Sequence, residues 1–186
     1  WVCPGRELPM KASALKDAAK IWRAGVAGVD PKQIVAKSVS FQDDILAVGK
    51  HADRIGGNIH VLAAGKAAEQ MAAGILASTS LAHDRMTGYI LAPGEGCTRQ
   101  GPLPRHGVRP MGSNLPTPNS VAITDQVLQS LAGAKPNDVL VVLLSGGASA
   151  MLCAPSGISL DEKIALTNRL AGAGANITQL NTVRRA

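Results

Sequence analysis

Aromatic side chains are scarce in this sequence, at only 2% of its 186 residues. The core must therefore be built from Ala, Val, Leu and Ile, which suits helices packed on a sheet and disfavours the aromatic platforms that bind single-stranded nucleic acid. The formal net charge is +6, but no basic run is long enough for a nucleic-acid arm, since Val183-Arg184-Arg185 is short. The charge suits a small anionic partner instead, such as a nucleotide or an acid.

Cysteine and histidine are too few and too scattered to indicate a disulfide network or a metal site. The three cysteines, Cys3, Cys97 and Cys153, are far apart in the sequence, which argues against disulfides and fits a reducing cytosol. The four histidines lack zinc-site spacing, so we predict no metal site made by the protein alone. No apolar stretch reaches the length of a membrane span, and the first ten residues do not form a secretory signal. We expect a cytoplasmic protein without a membrane partner, with Cys153 as a small buried residue.

The most informative segment is an apolar run followed by a turn of small residues. Val139–Leu144 is six branched apolar residues long and predicts a strand buried on both faces, as in a helix-covered parallel sheet. It is followed by Ser145-Gly146-Gly147-Ala148-Ser149, whose glycines allow positive φ and close approach to a ligand. If a helix begins nearby, its N–H groups would form an anion pocket. The alternative is an ordinary tight strand-to-helix turn, and this segment alone does not decide between them.

A second strand-turn-helix unit precedes it. Ile59–Ala64 reads as a buried strand, Gly65 as its turn, and residues 66–76 as a helix of strong helix formers. Lys66 is then expected in the first turn of that helix, where the helix dipole disfavours a cation. An anionic ligand would explain this placement. The alternative is a solvated surface lysine.

Helical periodicity and capping signals predict the remaining helices. The first runs from about Pro9 to Val29, and its apolar stripe (Leu15, Trp22, Val26) is expected to pack on the core. The predicted starts of the later helices are Asp30-Pro31, a cap at Asn119 or Ser120, a capping box of Ser159 and Glu162, and a cap at Asn176.

The rest of the chain is predicted to hold one further strand and a loop. Thr87–Ala92 reads as a strand, and the Gly- and Pro-rich residues 93–118 as a long, irregular active-site loop. Residues 38–57 are polar, with Phe41 and Ile45 among the anchors of short strands. Strands alternating with helices imply right-handed crossovers. The predicted fold class is α/β, with a doubly wound, mostly parallel, Rossmann-like sheet flanked by helices.

Three segments, in this order, resemble class II glycerate kinases, the glycerate 2-kinases that are sometimes labelled hydroxypyruvate reductases. They are Ala64–Ala68, Leu144–Ala150 and the run from Leu160 to Arg185. The similarity extends over nearly the whole chain from about Leu15. The last helix has no C-cap or closing strand after it. Residues 1–186 are therefore expected to be an amino-terminal α/β domain that is incomplete at its carboxyl end and lacks a second domain.

The resemblance implies ATP-dependent phosphorylation of D-glycerate to 2-phosphoglycerate, with Mg²⁺, in a cleft between two domains. This chain would supply half of that site, so alone it is expected to be inactive, and an apolar surface left exposed predicts homodimerisation or aggregation. By resemblance, Lys66 and Arg184 are the catalytic residues. The residues implied to bind glycerate or nucleotide are Gly65, Ser145, Gly146, Gly147, Ala148, Ser149 and Asn181.

Three positions depart from the family pattern. Ala148 replaces a usual third glycine, and Leu115 and Asn119 replace the His and Asp of a His-Pro-x-Pro-Asp type of loop. The altered loop favours one alternative, a non-catalytic module that binds a phosphosugar or nucleotide. A hydroxypyruvate reductase is another alternative, but the sequence has no Gly-x-Gly-x-x-Gly unit followed by an acidic residue.

Overall fold

A five-stranded sheet lies at the centre of the computed structural model, which describes residues 12–109 and 114–185. The strands are β1 (Val39–Gln42), β2 (Ile45–Val48), β3 (His51–Arg54), β4 (Ile59–Ala64), β5 (Met86–Pro93), β6 (Cys97–Gln100), β7 (Leu103–Arg109) and β8 (Val139–Leu144). The helices are α1 (Ala12–Gly28), α2 (Pro31–Ser38), α3 (Ala68–Ser78), α4 (Pro118–Ala132), α5 (Ala148–Met151), α6 (Leu160–Gly172) and α7 (Ile177–Arg185), with a 3₁₀ segment at Ser80–Arg85.

The strand order in this sheet is β6-β7-β5-β4-β8. β4 runs parallel to β5 and β8, and β5 runs parallel to β7, whereas β6 is antiparallel to β7. The predicted α/β class with a mostly parallel sheet is confirmed. Since parallel strands end at one edge, the residues that follow β4, β7 and β8 are brought together there.

Helices cover both faces of the sheet. On one face, α2 and α3 pack on residues such as Val61 and Ile90, with Ile75 of α3 fully buried. On the other face, α4 and α5 pack on Leu62 and Leu91. Burial of each such side chain stabilises the fold by about 1.5–3 kcal/mol, so packing on both faces fixes the geometry of the carboxyl edge.

The expectation that Val139–Leu144 is buried on both faces is wrong. β8 is the edge strand of the sheet, and Leu140, Val142 and Leu144 on one of its faces are exposed. The helices on that face, α4 and α5, lie against β7 and β5 instead. A run of branched residues predicts a strand but does not give its position in the sheet.

The stripe of α1 was expected to pack on the core, and this is also wrong. Leu15, Trp22 and Val26 are half exposed or more, at 51%, 67% and 50%. Helical periodicity identifies an apolar face but not the surface that covers it. Within residues 12–109 and 114–185, no helix is long and apolar enough to cross a membrane.

Residues 93–118 are less irregular than predicted. They contain β6 and β7, joined by a tight turn in which Gly101 has a φ of +59°, while residues 110–113 lie outside the described part. The cap of α4 is Thr117, whose hydroxyl accepts the Ser120 N–H, so the predicted cap at Asn119 or Ser120 is wrong. Pro104 is compatible with β7 because it lies near the start of the strand, before the pairing with β5 begins at Arg105.

The other start signals are confirmed. Asp30 caps α2 by accepting two backbone N–H groups, and Ser159 forms the predicted capping box with Glu162. Asn176 accepts the N–H of Gln179 at the start of α7. Residues 38–57 form the antiparallel sheet β1-β2-β3, which lies beside α2 and α3.

Candidate functional site

The turns that follow β4 and β8 lock together at the carboxyl edge of the sheet. Ala64 and Leu144, the last residues of the two strands, are paired neighbours. The Lys66 N–H donates to the Gly146 carbonyl at 2.9 Å, and the Ala67 N–H donates to Ser145 Oγ at 3.0 Å. The Ser145 hydroxyl in turn donates to the Ala64 carbonyl. Ser145 therefore braces one turn against the other.

Two glycines permit this close approach. Gly65 has a φ of +123°, and a Cβ added there would lie 2.2 Å from Ser145 Oγ. Gly147 has a φ of +86°, and a Cβ there would lie 3.1 Å from Nη2 of Arg109. Both positions need the backbone freedom and the missing side chain of glycine.

The predicted site residues in these turns lie together, with Gly65 buried and Lys66 and Gly146 exposed. α3 begins at Ala68, so Lys66 lies in the turn before the helix and not, as expected, in its first turn. Its side chain is exposed and makes no ion pair or hydrogen bond within the described residues. Lys66 Cε lies 3.8 Å from the position a Gly147 Cβ would take, so the ammonium group is carried beside the second turn.

The second turn offers backbone donors to the same space. The N–H groups of Gly146 and Gly147 meet no acceptor in the described part of the chain. Ala148 and the exposed Ser149 lie in α5, which is only four residues long. The anion pocket predicted from a helix start stays a prediction, and an anion there would be bound mainly by the turn itself, because so short a helix carries little dipole.

Arg109 is a site residue that the sequence analysis missed. It ends β7, which is separated from β8 by two strands, and its guanidinium extends over the strand ends to Gly147. The residue is only 2% exposed, yet Nε and Nη1 have no hydrogen-bond partner among the described residues. Buried cations in proteins are normally paired, since an unpaired charge is costly to bury. This cation is therefore held ready for an anion.

A groove of about 390 Å³ opens beside Arg109. Its walls include the backbone at Gly94 and Gly107 and the side chains of Thr117 and Asn119. The groove is formed by β7, the loop after β5 and the start of α4, so it lies at the same edge as the two turns.

The neighbouring cation Arg105, by contrast, is neutralised. Its Nε donates to Glu69 at 2.8 Å, and Nη2 donates to the Pro93 carbonyl at 2.6 Å. Burial, and secondarily the Arg105 charge, lowers the pKa of His106, which keeps that imidazole neutral near pH 7. Among the described residues at this edge, Lys66 and Arg109 are cations without an ion pair, and the acidic Glu95 also lines the groove.

Comparisons with known proteins identify the family of this chain. The model of the DUF4147 family, described as a domain of unknown function, matches residues 17–186. The chain belongs to the DUF4147 family. A glycerate kinase from Danio rerio is 32% identical to it over 184 residues, or 91% of this chain and 36% of that protein. A glycerate 2-kinase from Pyrococcus horikoshii is 32% identical over 86% of this chain and 35% of its own length.

A solved structure shares the fold of this DUF4147 chain. The crystal structure of the PH0495 protein from Pyrococcus horikoshii OT3 matches with a TM-score of 0.68 and 31% identity, over 83% of this chain and 34% of that one. The predicted resemblance to glycerate kinases is confirmed by these relatives. The chain spans about a third of the length of the curated relatives it matches.

The DUF4147 chain does not bring all predicted site residues together. Asn181 is exposed on α7, which lies against α6, and no hydrogen bond within the described residues joins it to either turn. Arg184 is in the same helix, but its side chain lies outside the described part. The roles assigned to Asn181 and Arg184 stay predictions. Arg109 could have been found by placing a strand at 103–109, since residues at the carboxyl ends of parallel strands form such sites.

Proposed function

We propose that this chain forms one wall of the active site of a glycerate 2-kinase, which transfers a phosphoryl group from ATP to D-glycerate and yields 2-phosphoglycerate. The observation that carries the proposal is the convergence of two unneutralised cations on one glycine. Arg109 Nη2 and Lys66 Cε lie 3.1 and 3.8 Å from the position of a Gly147 Cβ. The names of the relatives support the same reaction.

Phosphoryl transfer suits such a site because the reaction depends on positioning and on stabilising negative charge. In the proposal, the exposed Lys66 approaches phosphate oxygens from the open side of the turn. The N–H groups of Gly146 and Gly147 donate to the same anionic group. The two turns are braced before any ligand arrives, so these donors need little rearrangement to act.

Magnesium in kinases is usually held by one or two carboxylates together with the phosphates of the substrate. The described residues contain no group of three or more His, Cys, Asp or Glu that could hold a metal ion. The groups that converge at the edge, Lys66 and Arg109, are cations and suit an anion. No step of the proposed mechanism therefore depends on a metal held by these residues.

The remaining parts of the proposal concern the longer protein. We infer that residues 1–186 act as the amino-terminal domain of a two-domain kinase, and that the opposite wall of the cleft comes from the second domain. The chain alone is then expected to bind ligands without turnover. Asn181 and Arg184 would complete the site when α7 is packed by that second domain.

The test is calorimetric titration of the purified chain with MgATP and with D-glycerate. Lys66→Met should weaken MgATP binding by about tenfold or more, as expected for loss of a charge-assisted contact. Lys16→Met, which removes an exposed lysine from α1, is the matched control and should change nothing. If the folded chain does not bind MgATP, or if both variants behave alike, the proposal fails. NADH-dependent reduction of hydroxypyruvate would replace it with the reductase alternative.

A further inference from the structure

We propose that Arg109 is the receptor for the carboxylate of the acid substrate, and that the groove beside it is the acid subsite. The inference rests on the proposed function for the identity of the acid, D-glycerate. The preference for a small carboxylate follows from the groove itself.

Arg109 has the donors that a carboxylate requires. The residue is only 2% exposed, and Nε and Nη1 of its guanidinium are buried and meet no acceptor among the described residues. Guanidinium groups bind carboxylates through paired, charge-assisted hydrogen bonds in a planar fork. An arginine that only supported the fold would be expected to use these donors on carbonyl groups, as Arg105 does on the same strand.

Other polar groups of the groove are already paired with each other. The Thr117 hydroxyl donates to the Val108 carbonyl at 2.5 Å, and the Asn119 amide donates to the Gly107 carbonyl at 2.8 Å. These bonds hold the wall in place. The Arg109 guanidinium keeps unused donors beside them, and the exposed Glu95 adds an acidic group to the lining of the groove.

The size of the groove favours a small acid over a nucleotide. Its volume of about 390 Å³ is near the lower end of the roughly 300–1,000 Å³ found for ligand pockets. Its floor is tight, since a Cβ on Gly107 would lie 2.5 Å from the Gly94 backbone. Arg109 lines this small groove, whereas Lys66 is exposed outside it and is open to a larger anion.

This division of roles places the reacting groups next to each other. A carboxylate held by Arg109 would carry the adjacent hydroxyl of a 2-hydroxy acid toward Gly147, where the guanidinium and Lys66 converge. The anion bound at Lys66 would then lie beside that hydroxyl. Arg109 would therefore determine which acids bind, and Lys66 would act on the transferred group.

The test compares two ligands that differ only in charge. D-glycerate and its neutral amide, D-glyceramide, are titrated into the wild-type chain and the Arg109→Met and Arg109→Lys variants. The wild type should prefer the acid by about tenfold or more, the size expected for a charge-assisted pair. Arg109→Met should abolish this preference, and Arg109→Lys should keep part of it, because the charge remains without the fork.

Arg99→Met is the control, since Arg99 is exposed on β6. It should retain the full preference for the acid. Circular dichroism of each variant establishes whether it is folded. If Arg109→Met does not fold, the ligand preference of Arg109→Lys decides the test. The proposal is overturned if the wild type does not prefer the acid, or if the preference survives in Arg109→Met.

Failure of the acid subsite can be distinguished from failure of the proposed kinase function. A charge preference that depends on Arg109, without MgATP binding, would support the acid subsite and refute the kinase. MgATP binding that depends on Lys66, with no role for Arg109 in acid binding, would support the kinase and refute the subsite.

Discussion

Replacement of Arg109 by methionine should make the protein more stable while it removes ligand binding. The guanidinium is buried, and Nε and Nη1 have no partner among the described residues. A buried group without a partner costs about 1–3 kcal/mol, and more when it is charged. Methionine fills similar space with an apolar side chain and removes that cost. We therefore expect the free energy of unfolding to rise by about 1–3 kcal/mol.

A matched arginine on the same strand should respond in the opposite direction. Arg105 donates to Glu69 at 2.8 Å and to the Pro93 carbonyl at 2.6 Å. Arg105→Met leaves these acceptors without their donor and should lower stability by about 1–3 kcal/mol. The same Arg→Met substitution at two positions of one strand thus distinguishes an arginine that binds a ligand from one that stabilises the fold.

Urea unfolding followed by far-ultraviolet circular dichroism measures both changes. Thermal unfolding should agree, with about 2–4 °C per kcal/mol for a chain of this length. A fall of more than about 1 kcal/mol in Arg109→Met would refute the reasoning, because it would mean that the guanidinium makes contacts that hold the fold. Ligand titration of the same sample should show that the more stable variant has lost acid binding.

Four further substitutions test the turns and the opposite end of the sheet. Gly147→Ala should lower stability by at least about 1–2 kcal/mol, since φ there is +86°. Gly146→Ala, where nothing lies within 4 Å, should be neutral or stabilising by about 0.4–1 kcal/mol. If both glycines respond alike, the description of the turn is wrong. Ser145→Ala should cost about 1–3 kcal/mol in urea unfolding by leaving an N–H unpaired; no change would mean that the brace is dispensable. Backbone hydrogen bonds, first that of Lys135, lower the pKa of Asp138 from 3.8 to about 2. Its contribution to stability is then fully present above pH 3.8 and is lost as the pH falls toward 2. In thermal unfolding across that range, Asp138→Asn should lack this loss, and an unchanged pH profile would refute the assignment.

The fold was predictable where local signals act within one element. Capping by Asp30 and Ser159 involves atoms only a few residues apart, so their sequence patterns were sufficient. The strand Ile59–Ala64 was predicted with its observed bounds, because it is buried on both faces and reads as an apolar run. The same argument failed for β8, since its place at the edge depends on the whole sheet.

The site was predictable only in part, for a similar reason. Lys66 and Gly147 belong to strand-turn-helix units that are visible in the sequence, and the structure brings them together through the pairing of β4 with β8. Arg109 was missed because β7 is rich in polar residues and contains a proline, so it read as a loop. Its burial and its lack of a partner arise from tertiary packing, and no local sequence pattern predicts them.

The three departures from the family pattern do not by themselves favour a module without catalysis. The turn places positive φ at Gly147, and Ala148 follows in helical α5, so the backbone does not need a glycine there. Asn119 donates its amide to the Gly107 carbonyl, a bond that an ionised Asp could not make. In this chain the residue therefore supports the wall of the groove without adding a negative charge beside Arg109. The altered loop thus leaves the cation available, which is what binding of an anionic substrate requires.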